Sequence, residues 1–307
     1  MVTYFTAILI IKIIRTYTLN YRIKVFVLIS FFYSLTGVAE PTQRVVELSI
    51  TSQYVKNMPA VKVILPASYI TEPQSKKAET LTTSQTSSGK TNKRYPVIYL
   101  LDGEVNYALV NSMLERMALS NGAQEYIIVS LESQNRLYDF APTVNMDRRG
   151  PYGEGGGGDK FLDFIEKELK VVMRNQYQAS DFSAIMGHSV GGLLVYHAFY
   201  SRPSLFNGHM AFSPAVWWGE QETMIAVKKY VYSSDDIGSY LYTNIGNEAG
   251  MMREHYDSLV NTLQRNRTSE LVLQSEHYPH DSHGLTFSAG LYSALKGMDN
   301  YQRKLGL

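Results

Sequence analysis

Cysteine is absent from this sequence, and that single absence removes several chemistries at once. Disulfide staples, thiolate metal sites, a cysteine nucleophile and a lipidated N-terminal cysteine are excluded, so an exported form of the chain must rest on its packed core. Excess charge of one sign is also missing. The 29 basic residues face 28 acidic ones, a net of +1, which gives no electrostatic reason to expect nucleic acid as a partner. Tryptophan is scarce, and both copies stand side by side at Trp217 and Trp218. No acidic residue precedes Glu40, while Lys12, Arg15, Arg22 and Lys24 precede an apolar run at 25–35 that is too short to span a bilayer comfortably. The small residues Gly37 and Ala39 follow it, as at a signal-peptidase site.

Residues 1–39 therefore read as a cleaved secretory signal, with a retained N-terminal anchor as the alternative, since a second apolar patch lies at 5–14. Cleavage leaves 25 basic against 28 acidic residues and no stable membrane span, and it places the protein in a bacterial periplasm or outside the cell. Residues 40–307 are long enough for one large domain, and 45% hydrophobic residues suffice for its core. Residues 71–93 are rich in Ser, Thr and Lys with hardly an apolar side chain, so they read as a long exposed loop inside that domain.

Short apolar runs at 44–51, 61–66, 97–101, 126–131, 182–186, 209–212, 240–245 and 271–275 predict strands. Helical spacing at 107–119, 160–175, 190–200, 221–232, 251–265 and 288–296 alternates with them. Strict alternation predicts an α/β fold, an eight-stranded, mostly parallel sheet with helices on both faces and an antiparallel first pair. The glycine run 153–158 lacks a following Lys-Ser/Thr and a preceding strand, so it reads as a flexible loop entering a helix rather than a phosphate loop.

Gly187-His188-Ser189-Val190-Gly191 stands between the run 182–186 and the helical pattern from 190. A nucleophile on a sharp strand-to-helix turn sits in strained backbone, where glycines two before and two after relieve crowding. Ser189 needs a base, and the fold's usual order of nucleophile, acid and histidine points to the loop after the last strand. That loop offers His277, His280 and His283. His283 is the choice because it directly precedes the final helix, with the other two left as alternatives. The cluster His277, His280, Asp281 and His283 could be read as a metal site, but side chains on an irregular loop need not converge, so neither metal nor cofactor is expected. Glu248, after the strand at 240–245, stands where the acid belongs; it could instead cap the next helix, Asp257 lies deeper in that helix, and without either the site would be a serine–histidine dyad. The backbone N–H groups of Val190 and Glu104 are the expected oxyanion donors. His188, pointing sideways within the elbow, and His197 read as structural, although His188 adjoins the substrate side.

Tyr95 to Gly103, Arg136 with Asp139 to Thr143, the elbow, Ser213 to Trp218 and the tail from Tyr278 to Gly284 follow one another in an order that resembles the esterase D-like α/β-hydrolases over residues 45–307. The resemblance implies the α/β-hydrolase fold and a serine esterase that works without a cofactor on a small-molecule or acylated ester. A siderophore ester ranks first, and a feruloyl or carbohydrate acyl ester or acyl transfer second. It gives Ser189 and His283 the catalytic roles, makes the Gly103–Glu104 turn an oxyanion donor and sets Arg136 with Trp217 or Trp218 over the site; Gly103, Arg136, His188, Trp217 and Trp218 are thus the expected substrate contacts. The family's acid varies in position, which leaves Glu248 the least constrained of the set. A non-catalytic binding protein on the same scaffold is the reading from another class.

Overall fold

Eight strands form one sheet, in the order β1-β2-β4-β3-β5-β6-β7-β8. They are β1 Arg44–Leu48, β2 Ala60–Leu65, β3 Tyr95–Leu101, β4 Ile127–Glu132, β5 Ala179–His188, β6 Gly208–Phe212, β7 Tyr240–Ile245 and β8 Val272–His277. In this computed structural model residues 44–69, 93–266 and 268–307 are described. The signal expected at 1–39 and nearly all of the loop expected at 71–93 lie outside them. Among the described residues no helix is long and apolar enough to cross a membrane.

β2 pairs antiparallel with both β1 and β4, and every other pairing is parallel. All seven residues of β3 are buried, as a central strand covered on two faces requires. Its side chains alternate between two cores. Val97, Tyr99 and Leu101 join the core on one face, and Ile98 and Leu100 join the other.

Helices α1 Gly103–Asn121 and α8 Thr286–Lys304 cover one face through Val110, Leu114, Phe287, Leu291 and Met298. The opposite face is covered by α3 Gly158–Phe164, α5 Val190–Ser201, α6 Trp218–Ser233 and α7 Met251–Asn266. Two local features depart from the periodic pattern. A short helix, α2 Arg136–Phe140, follows β4. The helix expected at 160–175 is divided by a π-helical turn, Ile165–Leu169, before α4 Lys170–Gln176. Directly after that wide turn Lys170 turns inward and donates to Ser183 Oγ (2.9 Å) and the Leu205 carbonyl (2.5 Å).

Parallel strands put the segments after β3, β5, β6, β7 and β8 on one rim of the sheet. Such a rim is where this kind of fold assembles sites from residues far apart in sequence.

Candidate active site

β5 delivers the chain to Ser189, whose φ of 57° and ψ of −115° are strained for a residue with a side chain. Three backbone hydrogen bonds hold it there. Its N–H donates to the Phe212 carbonyl (2.9 Å), and its own carbonyl accepts from Leu193 and Ala215 (3.0 Å each). A Cβ on Gly187 would lie 2.6 Å from the Gly191 carbonyl group, so no larger residue fits before the turn. The two glycines of the motif are not equivalent, because a Cβ on Gly191 would meet nothing closer than Asp102 Oδ2 at 3.4 Å. Val190 opens α5, and the first amides of a helix have no partner within it.

The acid and base loops are bound to each other as an extension of the β7–β8 pair. Tyr278 N–H donates to the Ile245 carbonyl and Asn247 N–H to the Asp281 carbonyl, both at 2.8 Å. Gly246 permits this approach, since a Cβ there would be 2.4 Å from the Asp281 oxygen. The result is a direct contact in which His283 Nδ1–H donates to Glu248 Oε1 at 2.7 Å. The Glu248 side chain is 8% exposed and that of His283 39%, so a covered carboxylate supports an open ring.

Burial is the largest single influence on Glu248 and works against ionisation. The Ser213 hydroxyl and the His283 ring outweigh it, so the carboxyl is held below its ordinary pKa. Ser213 is fully buried at a φ of 37° and stands near that carboxylate without forming a well-aligned hydrogen bond. No role was expected for it in sequence, although Ser213 opens one of the blocks that carry the family resemblance.

His277 accepts a hydrogen bond from Arg253 Nη1 (2.8 Å), and His280 is exposed. Asp257 pairs with Arg253 within its own helix at 2.7 Å. Among the described residues no group of three or more acidic or histidine side chains is placed to hold a metal ion. Ser189 is half-buried, and its hydroxyl makes no hydrogen bond among the described residues. Catalytic hydrogen bonds in substrate-free sites are often long and tighten only when substrate is present.

Around this centre the remaining expected contacts fall in different places. Arg136 spends its fork on Asp102, with Nε to Oδ1 at 2.6 Å and Nη2 to Oδ2 at 2.8 Å, and Nη2 also donates to the His188 carbonyl at 3.0 Å. Only Nη1 is left for a ligand. Asp102, which the sequence reading did not single out, directly precedes α1 at a φ of 51° and makes no side-chain bond to the helix. Gly103 presses on Ser130, where a Cβ would come within 2.1 Å of the Ser130 hydroxyl oxygen. The Glu104 N–H is donated to Glu132 Oε2 at 3.3 Å. Trp218 is corrected as a substrate contact: it is 1% exposed and its indole N–H donates to the Thr143 carbonyl at 2.9 Å. Trp217, half-buried with its ring against Gly150, keeps accessible surface. His188 Nε2 lies 2.8 Å from the His283 carbonyl oxygen.

A strained serine at a strand-to-helix elbow, followed in sequence by a carboxylate and a histidine on the same rim of a mostly parallel sheet, defines the α/β-hydrolase class. The chain belongs to the family described as "Putative esterase", whose model matches residues 52–295. It is similar to the siderophore triacetylfusarinine C esterase of Aspergillus fumigatus, 31% identical over 148 residues, 44% of this chain and 49% of that protein. The siderophore enterobactin esterase of Emericella nidulans is 29% identical over 167 residues, 47% and 54% of the two chains. The chain thus spans about half the length of these two curated relatives. An IroE-like serine hydrolase from Shewanella oneidensis shares the fold at a TM-score of 0.71, with 23% identity and 84% and 80% of the chains covered.

Proposed function

We propose that this chain is a serine carboxylic-ester hydrolase that acts through an acyl-enzyme, with a siderophore ester as its substrate class. The observation that carries it is the 2.7 Å contact between His283 and a carboxylate held ionised, on the same rim as the strained Ser189. His283 takes the Ser189 proton as Oγ attacks the ester carbonyl, and Glu248 stabilises the imidazolium that results. The carbonyl oxygen becomes an oxyanion facing the Val190 N–H, with a second donor from the turn 102–104. Glu104 would serve there by exchanging Glu132 for the substrate oxygen. The tetrahedral intermediate collapses as His283 protonates the departing alcohol. Water then repeats the sequence, releasing the acid and restoring Ser189.

Two things support the substrate class: the esters in the names of both curated relatives, and a half-buried Trp217 able to pack on an aromatic ring. The apolar, acid-free start of the sequence supports export to the periplasm or beyond, which N-terminal sequencing of the exported protein checks. Ser189→Ala must abolish hydrolysis of both a short acyl ester and a siderophore triester, read by chromatography of the products. Full activity in that variant would end the proposal, and cleavage of a feruloylated sugar in preference to the siderophore would replace its substrate.

A further inference from the structure

His188 adjoins the nucleophile, and its ring is engaged by the loop that carries the base. The Nε2 atom faces the His283 carbonyl oxygen at 2.8 Å, and because a carbonyl can only accept, Nε2 carries the proton. The two imidazoles also lie tilted against each other, with centroids 4.5 Å apart and planes at 47°. On its other side the His188 backbone carbonyl accepts from Arg136 Nη2, whose guanidinium is fixed by two bonds to Asp102. Three segments separated by many residues are therefore linked through His188, the first of them by way of Arg136. They are the Asp102 turn, which offers an oxyanion donor, the Ser189 elbow and the loop that carries the base.

We propose that His188 is a positioning residue that fixes the His283 loop, and so the base, against the nucleophile elbow. The inference rests on the serine-esterase reading and deepens it. Glu248 holds the His283 ring at Nδ1, and His188 holds the backbone of the same residue, so ring and main chain are gripped independently. Thr286 Oγ1 donates to the same carbonyl at 2.9 Å, so losing His188 loosens the loop without leaving that oxygen unpaired. Burial first, and then the neighbouring His283, lower the His188 pKa, which keeps its ring neutral as the single donor this arrangement needs. Arg136 and Asp102, the other charged groups facing it, act in opposite directions.

His188→Phe retains a ring against His283 and removes the donor, whereas His188→Gln retains a donor and removes the ring. The Phe variant should lose roughly tenfold in kcat with KM little changed, as expected for one orienting hydrogen bond. The Gln variant should recover to within about threefold of the parent. Wild-type kcat in His188→Phe, or a loss confined to KM, would overturn the proposal, the latter because it would make His188 a substrate contact. Should the Phe variant fail to fold, nitrogen-15 NMR of the histidine rings in the unaltered protein decides. A neutral Nε2–H form of His188 at pH 7 supports the inference, and a neutral Nδ1–H form or an imidazolium refutes it. Ser189→Ala separates the two levels. If it remains active the esterase reading itself is lost, and if it is inert while His188→Phe matches the parent, only the role of His188 falls.

Discussion

Replacing Glu248 by alanine removes the carboxylate that grips His283 and leaves the imidazole free to turn. The contact is a charge-assisted hydrogen bond of 2.7 Å from a side chain only 8% exposed, the setting in which such bonds are strongest. Bonds of that kind contribute about 1.5–3 kcal/mol, and because the imidazolium exists only as the reaction proceeds, most of that should appear in the barrier. The expected loss in kcat is about 10- to 150-fold, with KM little changed. Glu248→Gln should be at least as damaging, since an amide nitrogen turned toward Nδ1 would pin the ring in the wrong tautomer, an effect worth about 10⁴-fold where it is complete. Steady-state hydrolysis of a p-nitrophenyl ester near pH 7.5 gives the numbers, and a thermal melt shows whether the variants are folded. The carboxyl also leaves a mark on stability. Its folded pKa lies below its unfolded one, so it stabilises the protein above the usual carboxylate range and loses that contribution as pH falls through the depressed value. Folded variants with parental kcat would reduce Glu248 to a helix-capping residue and refute the reasoning.

The elbow glycines should respond unequally. Gly187→Ala forces a Cβ to within 2.6 Å of the Gly191 carbonyl group and should abolish activity or folding, while Gly191→Ala meets only ordinary contacts and should retain both; matched specific activities and melting temperatures would contradict this. Burial lowers the pKa of Lys170 to about 8, with Arg174 reinforcing it. Its folded pKa is thus below the unfolded value of 10.5, the unfolded chain holds the proton more tightly between the two, and stability should rise with pH across that window by at most about 3 kcal/mol. Denaturant melts at pH 7.5 and 8.5, where few tyrosines of the unfolded chain are yet ionised, should show a gain in the parent that Lys170→Met lacks; equal changes in the two would refute it.

Eight strands, their alternation with helices and the antiparallel entry pair were legible because central strands such as β3 and β4 are nearly unbroken apolar runs and helices such as α7 and α8 bury one stripe. The π turn at Ile165–Leu169 was not, since Phe164, Ile165 and Leu169 fit the periodicity of an unbroken helix. Motif and order directed attention to Ser189, Glu248 and His283, but the 2.7 Å contact depends on the register of β7 against β8, and no sequence period encodes that. The surroundings were harder to read, because what a polar side chain does is decided by its partner. Arg136 looks like a free cation until Asp102 is brought to it, and Trp218 is distinguished from Trp217 by its burial and its bond to Thr143. The strained φ values at Asp102, Ser189 and Ser213 lie just beyond the ends of β3, β5 and β6, and only the serine between glycines gave a local signal.

Mass analysis of the protein after treatment with a fluorophosphonate tests the central claim most directly, because the reagent bonds to a hydroxyl only where a base activates it. One adduct per chain is expected, on the peptide containing Ser189, formed in step with loss of ester hydrolysis and absent from Ser189→Ala. Hydrolysis that persists in the fully treated protein, or an adduct at another residue that accounts for the inhibition, would contradict it.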